Sequence, residues 1–316
     1  MVDYDYLIQG LNALARAHQV NTMSGHLGAA VVSGYFIAEQ HPDLDAVVYD
    51  GIEGELDRVI AGESVFSPRK SAAIDVKQMF APFPAGEGRE GLIDGIAEAL
   101  SENIDETRQS GHNVIFASIA IRALKDHPDL ATPAIVDGIR KLTRGFNGEK
   151  PGSGYYGKEE GRIDGRKIQL PEDDGVPMYD DLPSMARVVF QELIAHAFEH
   201  RQGFGGLWHV INHAAALAEL NFHGYEELAQ SGVKAHRQHL RLWNTVPDVT
   251  DELGAEKKAS HDPHSAEYWT SEQFRRDRAL LTHRVKTIYG FDTLMMLIDD
   301  KPLQEKATDE FRYLMA

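Results

Sequence analysis

The chain has 316 residues, 42% hydrophobic and 26% charged, with no cysteine, a globular composition that excludes disulfides, cysteine zinc sites and a catalytic thiolate. The net charge of −17 argues against nucleic acid and anionic membrane as partners, since both repel an acidic chain. The longest apolar stretch, Val114 to Ile121, is too short to span a bilayer, and the opening MVDYDYLIQG has no basic leader or cleavage site, so a cytoplasmic protein is expected.

Leu7, Leu11 and Leu14 recur at intervals of three and four and predict an amphipathic first helix. A second helix is expected from His26; it is apolar nearly all round, which predicts burial. A third is expected from Pro42, with Leu44, Val47, Val48, Ile52, Leu56 and Val59 on one face. The same order then returns. Leu92, Ile96, Leu100 and Ile104 line a first helix, an apolar helix follows His112, and Ile135, Ile139 and Leu142 line a third after Pro128. Identical strings tie the two copies together. Ser24-Gly25-His26 returns as Ser110-Gly111-His112, and His41-Pro42-Asp43-Leu44 as His127-Pro128-Asp129-Leu130, with an offset of 17 residues in both copies. Fainter copies begin at Gly206-Leu207-Trp208-His209 and at Leu281-Thr282-His283.

The expected fold is therefore all-α, one domain of four units with about three helices each. The units span 3–61, 89–145, 183–243 and 271–316, joined by long connections at 62–88, 145–182 and 244–270. Apolar inner helices favour a closed α/α toroid or strongly curved bundle over an open solenoid. No period-two run is long enough for a sheet. Connections of this length commonly act as lids or are disordered.

His26, His112, His209 and His283 hold the same place in the four units, each in the first turn of a buried helix. If rotation relates the units, the four rings meet. Burial and the helix N-terminus disfavour the imidazolium, which leaves neutral rings suited to metal ligation or proton transfer. The plainer reading is that each ring only caps its own helix. His209 and His213 lie one helical turn apart, the spacing of two ligands of a helical metal site, beside a glycine-rich approach and the Trp208 ring. His196-Ala-Phe-Glu199-His200 matches a zinc-peptidase pattern, but its helical-repeat context argues against that chemistry. His236 and His239, on a polar third helix, are expected at the surface. His261 and His264 either reach over the centre or form a turn. Tyr155 and Tyr156 are candidates to stack on an organic ligand, with local packing as the alternative. Arg284 and Lys286 are candidates for an anionic group, with salt bridges as the alternative. No P-loop, dinucleotide fingerprint or nucleophile elbow is present.

The segments HLGAAVV (26–32), HPDLDAVVY (41–49) and Glu55-Leu56 resemble the opening unit of questin oxidase-like proteins, and WHVINHAAAL (208–217) resembles a later histidine-bearing helix of that family. The resemblance covers roughly a third of the chain and no matched residue fixes a substrate. It implies a helical enzyme that inserts oxygen beside a ketone of a polycyclic aromatic, with reduced nicotinamide (NADPH) as electron source. The expectation is an enzyme acting on a small organic substrate in a pocket lined by His26, His112, His209, His213 and His283, with an oxidoreductase preferred. Substrate contacts are expected from Trp208, Tyr155, Tyr156 and Arg284. A divalent metal on His209 and His213 would instead suit a lyase or hydrolase, and a non-catalytic helical scaffold is the third reading. Oligomeric state is left open.

Overall fold

The computed structural model describes residues 1–172, 175–271 and 280–316. The described residues form 15 α-helices and a single two-stranded sheet. The first unit is α1 (Tyr4–Ala17), α2 (Gly25–Gln40) and α3 (Ala46–Ile60), followed by the short α4 (Val76–Phe80). The second is α5 (Asp94–Ser101), α6 (His112–Asp126) and α7 (Pro133–Arg144). The glycine-rich connection then forms β1 (Ser153–Tyr155), α8 (Gly157–Glu160) and β2 (Arg162–Asp164). The third unit is α9 (Leu182–His196), α10 (Gly206–Phe222) and α11 (Glu226–Asn244), followed by α12 (Thr250–Leu253) and α13 (Ala266–Thr270). The last helices are α14 (His283–Met295) and α15 (Lys301–Phe311). The first helix expected for the fourth unit falls largely outside the described residues.

The helices without a polar face are the inner ones. All of Gly25–Ala38 in α2 and all of Arg284–Leu294 in α14 are buried. α2 packs on α6, α6 on α10, α10 on α14, and α14 back on α2. Amphipathic helices cover this set: α1 packs on α2 and α7, α5 on α7, and α9 on α10 and α15. The α1–α2 contact is close because both helices present glycine. A Cβ on Gly28 would lie 2.5 Å from the Gly10 carbonyl oxygen.

Two sequence expectations need correction. The third helices do not start at the prolines. Pro42 lies in a turn, and α3 starts where the Asp45 carboxylate accepts from Val47 N at 2.9 Å. Pro128 opens a 3-10 turn, and α7 starts where Thr132 caps the backbone of Ile135, with Pro133 at its first position. Capping side chains, not the earlier prolines, set these starts. The repeated strings do share a conformation, since His41 (φ −129°, ψ 70°) and His127 (φ −130°, ψ 70°) end α2 and α6 alike. The second correction is the hairpin. β1 and β2 pair antiparallel with Gly154 opposite Ile163, and Gly154 also bridges to Gly203. Strands of three residues are too short for periodicity to reveal.

Candidate active site

Four imidazoles meet where α2, α6, α10 and α14 begin. His26 Nε2 lies 2.7 Å from His112 Nε2, and His209 Nε2 lies 3.0 Å from His283 Nε2. The ring centres of His112 and His209 are 4.4 Å apart, and those of His26 and His283 are 4.8 Å apart. The pairs therefore form one group. The His26 ring stacks on Phe66 at 3.8 Å, and the Trp208 indole stacks on His283 at 5.6 Å.

Hydrogen bonds assign several protons. The Gln109 carbonyl accepts from His112 Nδ1, so a neutral His112 presents a bare Nε2. His26 Nε2–H donates to it, which leaves His26 Nδ1 as acceptor for the Lys286 amine. Lys286, His26, His112 and the Gln109 carbonyl thus form one directional chain. Burial pushes His26, His112 and His209 well below the ordinary imidazole range, and neighbouring Lys286 and the other rings push the same way. Burial also holds Lys286 well below its usual value, which favours the neutral amine.

The carbonyls that set these tautomers come from left-handed turns. Gln109, Ser110 and Gly111 have φ of 43°, 62° and 83°. Phe204, Gly205 and Gly206, with φ of 48°, 76° and 66°, lead into α10. A non-glycine residue in this region is strained, so the surrounding fold must hold it there. The glycine-rich approach to His209 is a shaped turn.

A second histidine group lies beside the first. His213 Nδ1 is 3.2 Å from His239 Nδ1, and the His213 and His236 ring centres are 5.2 Å apart. The Phe204 carbonyl accepts from His239 Nε2 at 2.8 Å, and the Val210 carbonyl accepts from His236 Nε2 at 3.0 Å. The Tyr179 hydroxyl donates to His236 Nδ1 at 2.7 Å. All three rings are fully buried. This corrects the surface placement of His236 and His239: α11 buries Ala229, Val233, Leu240 and Trp243, and both histidines fall on that stripe. It also separates the proposed ligand pair, because His209 joins the four-ring group and His213 joins this one.

The four-ring group forms one wall of a cavity of about 660 Å³. All three long connections reach it, through Phe66, through Gly152, Ser153 and Arg162, and through Glu256. Trp208 lines it, with Nε1 donating to the Leu314 carbonyl at 3.0 Å. Tyr155 and Tyr156 do not line it. The Tyr155 hydroxyl donates to Glu252, and the Tyr156 hydroxyl pairs with Thr245 at 2.5 Å, so both fasten the hairpin to the segment around α12. Arg284 does not line it either. It is 1% exposed and pairs with the equally buried Glu55, since its position on α14 turns it into the core. His196 and His200 do not share a helical face, because α9 ends at His196; His196 contacts Glu199, and His200 sits at the cavity rim.

His264 lies elsewhere. It meets His41 and Asp292 at the far ends of α2 and α14. Burial alone would lower its pKa, but hydrogen bonds to Asp262 and Asp292 outweigh that and raise it to about 10. Lys286, Phe66 and Gln109 had weaker signals. Lys286 stands three residues after His283 on a helix buried on every side, a position where a lysine is rare without a task. Phe66 and Gln109 lie in connections with no pattern to mark them.

Comparisons with family models, with curated proteins and with solved structures return no match. No described helix is long and apolar enough to cross a membrane.

Proposed function

We propose that the protein is an enzyme acting on a small, oxygen-bearing aromatic or cyclic substrate in the histidine-lined cavity, and that His26, His209 and His283, flanked by His112, hold a divalent transition-metal ion. The observation that carries this reading is the convergence itself: one ligand nitrogen from each of the three rings lies within 4.8 Å of the others. Neutral imidazoles are good ligands for zinc, iron, copper and nickel. Such a ligand set leaves the cation's charge uncompensated, and the cavity lining adds Arg162 and Arg201 with Glu256 as its acid. That favours a substrate with an acidic oxygen, such as a phenol or enol. The metal would act as a Lewis acid toward that oxygen.

The chain's own groups supply the rest. Phe66 and Trp208 flank the rings with flat apolar surfaces. Ligation through His26 Nε2 would give up its donation to His112 and place the ring proton on Nδ1, facing the Lys286 amine, so that amine rather than His26 is the group able to take up a proton from bound substrate and hold it away from water. The cyclic contacts among α2, α6, α10 and α14 support a closed, toroid-like set of four related units around the site. An oxidoreductase remains the preferred reaction class, in keeping with the resemblance to questin oxidase-like proteins and its reduced-nicotinamide requirement. A binding scaffold would hold its histidines singly in separate units, whereas these rings hydrogen-bond across units.

The test compares neighbouring histidines. Purified chain, metal-depleted and reloaded with Fe²⁺, Co²⁺ or Zn²⁺, should lose one metal equivalent when His209→Ala and His283→Ala are combined. His213→Ala should keep that equivalent, although the histidines are four residues apart. Turnover of a panel of polycyclic phenols with NADPH should follow the same division. Equal metal content in wild type and the double variant would refute the metal assignment. Chelator-insensitive turnover that depends on Lys286 would favour a metal-free proton-transfer site built on the same amine.

A further inference from the structure

We infer that His41, His264 and Asp292 form a second, separate site for a divalent transition-metal ion. His41 stands fifteen positions after His26, at the C-terminal cap of α2, roughly 22 Å of helix away, so this group is remote from the four-ring cavity and does not depend on its role.

The geometry is specific. His41 Nε2 and His264 Nε2 each lie 3.0 Å from the same oxygen, Asp292 Oδ2. Ligands about 2.1 Å from one octahedral metal lie about 3 Å apart when adjacent. The His41–Asp292 approach is not a hydrogen bond: His41 Nε2 is buried and has no hydrogen-bonding partner, despite the short distance. A nitrogen and an oxygen held this close off the hydrogen-bonding direction suit two ligands of one ion. Asp262 adds the outer contact such sites use. Its carboxylate accepts from His264 Nδ1 at 2.8 Å, which fixes the ring and turns Nε2 toward Asp292; in the metal-free ring Nε2–H donates to Asp292, and a bound ion takes that proton's place.

The surroundings fit a cation. His41 ends α2, and Asp292 lies in the last turn of α14, so two helix C-termini carry partial negative charge beside the group. Two imidazoles and one carboxylate leave coordination positions open. A cavity of about 450 Å³, lined by Phe291, Met295 and Met296, adjoins the three ligands. Three protein ligands with room for a further one mark a site that takes water or a small ligand, in contrast to a closed structural site.

Cobalt counting tests the proposal. The full chain carrying His209→Ala and His283→Ala is metal-depleted, incubated with Co²⁺ and desalted. It should retain one cobalt per chain with a visible d–d band, and adding Asp292→Asn should abolish both. Retention of cobalt after Asp292→Asn would overturn the assignment, as would absence of cobalt from the folded double variant. Crystals of the unsubstituted chain grown with Co²⁺ give a readout that does not depend on variant folding. An anomalous peak is expected between His41, His264 and Asp292, and a peak confined to the four-ring group, or no peak, would refute the site.

Discussion

Buried histidines make the molecule's stability a function of pH. Burial drives His236 down to about 3 and His239 down to about 4. The unfolded chain protonates the same rings near 6.5, so below that pH it binds more protons than the folded chain. Folding stability is therefore full above pH 6.5 and falls as the pH drops toward 4, by up to ~1.4 kcal/mol per pH unit for each ring. Denaturant melts across this range should show the slope, and His239→Gln should flatten it relative to wild type. A variant slope equal to the wild-type slope would contradict the burial of that ring. The same residues mark a limit of sequence reading. A histidine counts as polar in a periodicity argument, yet Ala229, Val233, Leu240 and Trp243 flank these two at helical spacing. The convergence of His26, His112, His209 and His283 was legible because each opens a helix with no polar face. Arg284 was not, because a charged residue on such a helix reads equally as ligand contact or buried ion pair.

The turns that enter α6 and α10 fix ring orientation through their backbone. Gly205 has φ 76°, and a Cβ there would meet the His209 ring. Gly205→Ala should therefore cost ~2–5 kcal/mol, the sum of a left-handed penalty and an overpacked contact. The accompanying shift of His209 should weaken metal retention, and urea melts with metal analysis would measure both. A loss below ~0.5 kcal/mol, typical of an unconstrained surface change, would show that the turn is relaxed. Among the elements, helix identity and inner-versus-outer placement were legible from apolar periodicity. Helix starts were not, because Asp45 and Thr132 cap where the prolines suggested an earlier beginning. The hairpin and its tyrosines were opaque for a related reason: their partners, Glu252 and Thr245, come from a segment about ninety residues away.

At the scale of the whole molecule, the inner helices carry polar groups at both ends of a mostly apolar interior. Lys286 and the histidines stand near the helix N-termini. Nearer the C-termini, Arg122 donates to Glu219 and to Tyr289, both at 2.9 Å, and Thr293 donates to Glu219 at 3.0 Å. The Arg122–Glu219 pair holds these helix ends in one arrangement, because removing Arg122 leaves the buried Glu219 carboxylate without its nearest cation. Between the two ends, the space beside Lys286 and Tyr289 amounts to about 20 Å³, room for little more than a water molecule. The large cavity is thus a cul-de-sac in this direction. A molecule held there is walled off from the far ends of the inner helices, so the two chambers share no corridor through the bundle among the described residues.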